Sequence, residues 1–280
     1  MRYSFSGHES FYCKSLWLKK GYNHLYQNKS FNDKDAVAEL GVGKNMVASI
    51  RFWLRAFGLT ISDKLQPLAH YLFDDIKGRD KFCEDISTLW LLHFMLVQSS
   101  VSSIYNLSFK EFQRERKEFD KIQLDSFIKR KCSVPEQKNV YNENTVKKDI
   151  AVFLQNYVSP KDLKQIDHFT ALLINLDLIL DLGHGRYRFA EIETFTIPDE
   201  ILLFAVYTVM GNEKIMSFDK IQEIALTFCM PINRFLERLT DLHSKHAKIL
   251  TYTDNSGIRN VTINETISVE QILDSYYDHQ

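Results

Sequence analysis

A histidine and a glutamate stand side by side near the start of the chain, after a glycine and between two phenylalanines. His8 and Glu9 are residue types that do proton and metal chemistry: an imidazole titrates near neutral pH, and a carboxylate binds hard cations. Adjacent side chains rarely point toward one spot, however. Ser6 or Ser10 could instead cap a helix that begins near residue 11, with Glu9 favoured at its positive end. The spacing favours this structural role, and both residues stay candidate catalytic groups.

A charged segment, residues 74 to 85, offers a third candidate. Within it, Asp80-Lys81-Phe82-Cys83-Glu84 loosely resembles a carboxylate-containing nuclease site, which makes Asp80 a candidate catalytic residue. A run of charges between apolar segments is more often a solvated loop, and that reading is favoured here. No set of ligands with a recognisable spacing appears, so the ligands of any metal stay unknown.

Two other kinds of site are not expected. Gly41-Val42-Gly43-Lys44 is too short for a phosphate-binding loop and follows a predicted helix, so no nucleotide cofactor is predicted. The four cysteines lack the two-residue spacing of zinc or redox motifs, and we interpret them as reduced, buried thiols. They are Cys13, Cys83, Cys132 and Cys229.

Residues 33 to 58 show the pattern of a helix-turn-helix. Asn32 can cap a first helix whose inner stripe includes Ala36 and Leu40, and Gly41 can end it with a positive φ. A second helix from Lys44 repeats apolar residues at i, i+3, i+7 and i+10, so one of its faces is expected to be buried. Those apolar residues are Val47, Ile50, Leu54 and Phe57.

The opposite face of the second helix is predicted to meet DNA. A recognition helix places its N-terminal residues at base edges, where an asparagine can pair with adenine and cations suit guanine or phosphate. The alternative is a helical hairpin whose charges are simply solvated. The predicted contacts are Lys44, Asn45, Ser49, Arg51 and Arg55, with Phe52 on the same free face and with Lys19 and Lys20 added from the polar side of an amphipathic helix at 10 to 27.

The remaining elements predict a mainly α fold with small β-hairpins. Apolar periodicity indicates helices over 86 to 98, 108 to 128, 145 to 157, 169 to 182 and 231 to 245. Polar residues around Pro135 suggest a linker at 133 to 144, between an N-terminal helical domain, 1 to 132, and a C-terminal α+β domain, 145 to 280. Strand patterns at 248 to 253 and 258 to 263 follow a helix, so the C-terminal domain is expected to be winged-helix-like, as is the N-terminal helix-turn-helix. A structural role for this hairpin is favoured over DNA contact.

Charge is distributed unevenly along the chain. Residues 1 to 60 hold nine Lys or Arg against four acids, whereas residues 161 to 280 hold eleven against eighteen, although the whole chain has a net charge of −1. DNA is therefore expected at the N-terminal region first, and the acidic region could dock proteins. The longest strongly apolar stretch is far short of the ~20 residues that span a bilayer, and the first residues do not read as a secretory signal, so a cytoplasmic protein is predicted.

Four segments within residues 5 to 100 resemble the B component of the bacterial single-stranded DNA phosphorothioation (Ssp) defence clusters. The resemblance implies a protein that binds duplex DNA and nicks one strand so that sulfur can replace a phosphate oxygen. It also implies a cysteine desulfurase and ATPase or sulfotransfer proteins as partners. Nicking usually needs a divalent metal held by carboxylates, so Mg²⁺ or Mn²⁺ is the expected cofactor. No catalytic residue is carried over from the family. The segments are Phe5-Ser6-Gly7-His8-Glu9-Ser10-Phe11, Trp17-Leu18-Lys19-Lys20-Gly21-Tyr22, residues 40 to 53, and Thr88-Leu89-Trp90-Leu91-Leu92-His93.

Three hypotheses follow from the sequence. The first is a DNA-binding, metal-dependent nicking endonuclease of an antiphage system. The second is a non-catalytic adaptor that binds DNA and docks partner enzymes on its acidic half. The third is a transcriptional regulator with a helix-turn-helix.

Overall fold

The chain forms two compact units, Met1–Ala190 and Glu191–Gln280. The structure, a computed structural model, describes residues 2–160, 171–255, 257–265 and 267–278.

In its described residues, unit 1 is mainly helical, with a two-stranded antiparallel sheet and a three-stranded antiparallel sheet. Its helices are α1 (Trp17–Tyr26), α2 (Ala36–Leu40), α3 (Lys44–Ala56), α4 (Pro67–Phe73), α5 (Ile86–Gln98), α6 (Ser103–Asn106), α7 (Gln113–Glu115), α8 (Lys121–Lys131) and α9 (Glu143–Tyr157). Its strands are β1 (Thr60–Ile61), β2 (Lys64–Leu65), β3 (Glu118–Asp120), β4 (Ile179–Gly183) and β5 (Arg186–Phe189). A π-helix spans Leu107–Phe112, and 3₁₀ turns lie at Pro135–Gln137 and Ile174–Leu176.

Helix α5 is the centre of this unit's core. It spans the predicted residues 86 to 98 and is buried on nearly every side, as its uniformly apolar sequence requires. Asp85 caps it by accepting a hydrogen bond from the Ser87 N–H at 2.6 Å. Around His93 an aromatic cluster forms from elements far apart in sequence, including Phe109 and Tyr157. Each such buried ring stabilises the fold by ~1.5–3 kcal/mol. Among the described residues, no helix has the length and apolar character that crossing a bilayer needs.

Three helix predictions were wrong in extent. The helix expected from residue 10 begins only at Trp17. The segment 108 to 128 contains the π-helix, α7, β3 and only then α8, because residues 118–120 pair with β5 instead of continuing a helix. The described part of 169 to 182 is a 3₁₀ turn followed by β4; residues 169 and 170 lie outside the described residues.

The unit boundary also differs from the predicted linker at 133 to 144. Helix α9 follows that segment directly and packs against α8 and α6. Strand β5, near residue 190, lies between β3 and β4, with Phe119 opposite Tyr187. Polar composition around Pro135 therefore marks only a surface connection, since long-range pairing holds residues 145 to 190 in unit 1.

Unit 2 alternates helices and strands in the order α10 (Asp199–Met210), β6 (Ile215–Met216), α11 (Phe218–Thr227), α12 (Ile232–Lys245), β7 (Leu250–Asn255), β8 (Ile258–Ile263) and α13 (Val269–Tyr277). The three strands are antiparallel in the order β6-β8-β7. The helix predicted at 231 to 245 and the hairpin after it are confirmed.

A buried ion pair fastens α12 to the first turn of α10. Arg238, 1% exposed, donates to the carboxylate of Asp199, and Lys245 donates to its second oxygen at 2.8 Å. Burial alone would raise the pKa of Asp199, but hydrogen bonds and charge from Lys245 and Arg238 hold its pKa below its ordinary value.

We predict that Asp199→Asn lowers the free energy of unfolding of unit 2 by about 3 kcal/mol at pH 7, because it leaves the buried guanidinium without its counter-charge. Chemical denaturation checks this. Because the folded pKa of Asp199 is depressed, the wild-type advantage is present above about pH 4 and shrinks as the pH falls further.

The matched control is Glu143→Gln, which breaks the exposed i,i+4 pair between Glu143 and Lys147. It should cost at most about 0.5 kcal/mol. Equal losses for the two variants would show that burial of Arg238 does not matter to stability.

Candidate nucleic-acid interface

Helices α2 and α3 are joined by a tight turn at Gly41. This glycine has φ 63° and ψ 37°, a left-handed conformation that ends α2. Helix α3 then begins at Lys44, as predicted from its apolar period. Helix α2 is only five residues long, and its N-cap is Asp35, not Asn32.

The first turn of α3 is open to solvent on one side. Lys44, Asn45 and Ala48 are exposed there, and Arg55 is exposed three turns along. Lys44 and Arg55 make no ion pair with any residue that the structure describes. Two cations and an amide on one accessible helix face are groups that bind phosphate and base edges.

A groove of about 560 Å³ runs along this part of α3 and the segment before α2. Cationic side chains that line it are Lys34, Lys44 and Arg51, and the amides are Asn32 and Asn45. Phe31, Ala36 and Val47 give it an apolar floor, and Glu9 and Asp33 add two carboxylates. The groove therefore offers donors and acceptors together with apolar surface.

Arg51 is partly committed within the protein. Its guanidinium donates to both oxygens of Asp63, at 2.9 and 2.6 Å, and to Asn32 Oδ1 at 3.3 Å. Its side chain is still 43% exposed and lines the groove. Arg51 is thus held in a fixed position at the groove, with its charge largely offset by Asp63.

Two residues predicted for the free face of α3 are buried. Ser49 is fully buried, and its hydroxyl has no hydrogen-bond partner among the described residues. Phe52 is 3% exposed and lies under the N-terminal segment, where a Cβ added at Gly7 would come within 2.7 Å of its ring. In this conformation neither side chain can contact DNA. Other parts of the fold cover these two positions, which the helical period of α3 alone would leave exposed.

The two lysines of α1 are also structural. Lys19 is 7% exposed, and its ammonium donates to the Phe73 carbonyl and to Asp75, each at 2.6 Å. Lys20 is half-buried and donates to the Leu40 carbonyl at 3.1 Å, which satisfies the end of α2. Lys19 is therefore removed from the predicted DNA contacts, and Lys20 acts first as a helix cap.

His8 is held inside the protein. It is 3% exposed and stacks near Trp53, with ring centroids 6.4 Å apart. Its Nε2 lies 2.8 Å from Asp149 Oδ1, and its Nδ1 accepts the Ser10 N–H at 3.1 Å. Both ring nitrogens are engaged, so His8 is placed as a structural residue. Sequence reasoning missed Asp149, whose partner lies 141 positions away.

Glu9, by contrast, is exposed and lines the groove. The turn that carries it is strained: φ is 77° at Ser6, 49° at Glu9 and 63° at Ser10, all left-handed values for non-glycine residues. Each such residue costs about 1–3 kcal/mol and persists only where surrounding contacts impose it. Of the three candidate catalytic residues, the structure brings only Glu9 beside Lys44, Asn45 and Arg51.

Asp80 does not line the groove and is used in its own loop. Its two oxygens accept the N–H groups of Glu84 and Asp85, each at 3.0 Å. Asp74 makes similar bonds to Ile76 and Lys77 at 2.9 Å. The charged segment therefore stabilises its own turns.

The chain matches a known protein family. A family model described as "Protein of unknown function (DUF4007)" matches residues 5–277. The chain belongs to the DUF4007 family. No curated protein sequence matches it significantly.

Two solved structures share the DUF4007 fold seen here. They are described as the SspB crystal structure and the magnesium ion-bound SspB crystal structure. Each superposes with a TM-score of 0.82 at 24% identity, over 98% of this chain and 88% of the other. The resemblance inferred from residues 5 to 100 is confirmed, and the shared fold extends over nearly the whole chain.

The magnesium in one of those structures raises the question of whether this DUF4007 chain could hold the ion. No group of three or more His, Cys, Asp and Glu side chains within the described ranges is placed to bind a metal. The groove supplies the two carboxylates of Glu9 and Asp33. Mg²⁺ takes about six oxygen ligands, so a substrate phosphate and waters would have to supply the ligands that two carboxylates do not.

The four cysteines are Cys13, Cys83, Cys132 and Cys229. All four are free and buried. Burial raises the pKa of the Cys13 and Cys83 thiols well above the ordinary value, which keeps them protonated and unreactive.

We predict that Ser49→Ala raises the free energy of unfolding by about 1 kcal/mol, because it removes a buried hydroxyl that lacks a partner. Urea denaturation gives the value. Ser126→Ala, at an exposed position of α8, controls for the higher helix propensity of alanine. A smaller gain than that of the control, or a loss of stability, would mean that the hydroxyl is bonded after all.

Proposed function

We propose that this protein binds double-stranded DNA along the exposed face of α3 and the adjoining groove, as a component of a DNA phosphorothioation system. The observation that carries the proposal is the combination of unpaired Lys44 and Arg55 with Asn45 on one accessible helix face. The fold shared with SspB supports the assignment to such a system. A cysteine desulfurase and ATPase or sulfotransfer proteins are its proposed partners.

The electrostatics of the face favour a polyanion. Cations without internal partners lose no ion pair when they meet phosphate, and each one releases condensed counterions from the duplex. Arg51 adds guanidinium N–H donors at a position that Asp63 fixes. Asn45 follows Lys44 at the start of α3, where a recognition helix approaches base edges. Phosphate contacts would position the helix, and Asn45 would supply base preference.

We further propose that the protein nicks one strand, with Glu9 as a catalytic carboxylate. In this reaction a water oxygen attacks phosphorus, the bond to the ester oxygen breaks, and the leaving oxygen takes up a proton. In this proposal Glu9 accepts the proton of the water, Lys44 offsets charge on the phosphate, and Arg51, which lines the same groove, donates hydrogen bonds to it. A bound Mg²⁺ or Mn²⁺ would supply Lewis-acid stabilisation, with Glu9 and Asp33 as its protein ligands.

A second candidate, a non-catalytic adaptor, is favoured by unit 2. Its helix–strand–helix–helix–hairpin order with sheet order β6-β8-β7 supports a winged-helix-like module. Yet residues 191–280 hold seven Lys or Arg against fourteen Asp or Glu, and Glu237 is exposed on α12, where a DNA-reading module would place cations. Such a module suits a basic protein surface better than DNA. Promoter binding with repression would instead indicate a transcriptional regulator.

We predict that Lys44→Ala and Arg55→Ala each weaken duplex binding and reduce the slope of log K against log salt by about 1. Fluorescence anisotropy with a labelled duplex at several salt concentrations measures both. Asn45→Ala should instead reduce discrimination between base sequences by about 1–3 kcal/mol.

Lys121→Ala is the matched control, because Lys121 is an exposed lysine at the first position of α8, outside the groove lining. It should bind as wild type does. If the three α3 variants bind both specific and random duplexes as wild type does, the α3 face is not the DNA-binding surface.

We predict that Glu9→Gln slows nicking of supercoiled plasmid by about 10² or more in Mg²⁺ or Mn²⁺, because the amide cannot accept the proton. Duplex affinity should change little. Asp80→Asn should nick normally, since Asp80 serves its own loop. No relaxed product from rigorously purified wild type would favour the adaptor.

A further inference from the structure

We propose that Asp149 is a positioning residue that, through His8 and Ser6, holds Glu9 at the groove. This inference rests on the proposed role of Glu9 and adds a residue that the reaction needs without contact to DNA. It follows from a buried hydrogen-bond chain that runs from α9 to the strained turn of residues 6 to 10.

The carboxylate of Asp149 is wholly inaccessible to solvent and directed at the N-terminal segment. The Ser6 N–H approaches its two oxygens at 3.1 and 3.0 Å, and His8 Nε2 lies 2.8 Å from Oδ1. The side chain of Asp149 is 0% exposed. A carboxylate removed from water needs such donors, so the turn and Asp149 depend on each other.

The Nδ1 atom of His8 extends this hydrogen-bond chain past Glu9. Since the Ser10 N–H donates to Nδ1, the neutral ring carries its proton on Nε2 and donates it to Asp149. The His8 carbonyl in turn accepts the Phe11 N–H at 2.8 Å. Glu9 is thus held between His8 and Ser10, which are both hydrogen-bonded within the buried network around Asp149.

The backbone of this turn needs that restraint. Ser6, Glu9 and Ser10 all occupy left-handed conformations that L-residues disfavour, so the turn should relax when its hydrogen bonds are removed. A relaxed turn would move the Glu9 carboxylate away from Lys44 and Arg51. Small displacements of a reacting group are costly, by up to about 10²-fold in rate.

The experiment compares Asp149→Asn, Glu9→Gln and the double variant in the full chain. Asp149→Asn replaces one acceptor oxygen with an NH₂ group, which faces the Ser6 N–H at either position and His8 Nε2 when it occupies the Oδ1 position. Amide hydrogen exchange of Ser6 and Ser10 reports the turn directly, without DNA. Plasmid nicking and duplex affinity report the groove.

Two further variants guard against a general loss of folding. His8→Gln keeps a donor within reach of Asp149 but loses the Nδ1 acceptor for Ser10. Tyr157→Phe, also on α9, removes a buried hydrogen bond to His93 Nδ1 at 2.8 Å without touching the turn. It is the matched control for losing a buried hydrogen bond that does not involve the turn.

We expect Asp149→Asn and His8→Gln to speed Ser10 exchange by about tenfold or more while Tyr157→Phe does not. Both should slow nicking by about tenfold or more, with duplex affinity changed less than about threefold. The double variant should nick no more slowly than Glu9→Gln alone, because the two residues act on one step.

Three results would overturn the inference: unchanged exchange at Ser6 and Ser10 in Asp149→Asn, losses in nicking that multiply in the double variant, or an equal loss in Tyr157→Phe. If wild type neither binds nor nicks DNA, the proposed function fails instead. The exchange comparison then still decides whether Asp149 holds the Glu9 turn.

Discussion

The N-terminal part of unit 1 depends on one buried carboxylate. Asp149 is removed from water, a state that costs several kcal/mol unless hydrogen bonds to the charge compensate. Its donors come from residues more than 140 positions earlier, Ser6 and His8. This requirement draws the first residues of the chain across α9. Ser4 and Ser103 exchange two further hydrogen bonds, at 2.8 and 2.9 Å, so the segment is fastened along its length.

Once the segment is fastened, it decides which parts of α3 remain available. Gly7 and His8 cover Phe52, and the Phe11 carbonyl accepts the indole N–H of Trp53 at 3.1 Å. Helix α3 is therefore buried along most of its circumference, and only a strip that includes Lys44 and Arg55 stays open. The exposed strip and the position of Glu9 are two results of the same packing.

The elements that the sequence predicted correctly are those whose signals are local. Helix α5 and the β7–β8 hairpin follow from periodicity and turn residues, and both match. Strand β3 was missed because its partner, β5, lies almost 70 residues away and overrides a helical pattern. Lys19 and Lys44 look alike in sequence, and only the fold shows that one is buried against Asp75. Glu9 could be singled out as a candidate, whereas Asp149 gave no local signal.

The near-neutral total charge hides a division that matters for recognition. Unit 1 holds 28 Lys or Arg against 22 Asp or Glu, and unit 2 holds 7 against 14. At physiological ionic strength, charges separated by much more than about 8 Å are largely screened, so local groups decide what binds each surface. The α3 face presents cations without internal partners, whereas α12 commits Arg238 and Lys245 to Asp199. Similar helix-and-hairpin elements can thus serve different ligands, because the ligand is selected by which charges the fold leaves unpaired.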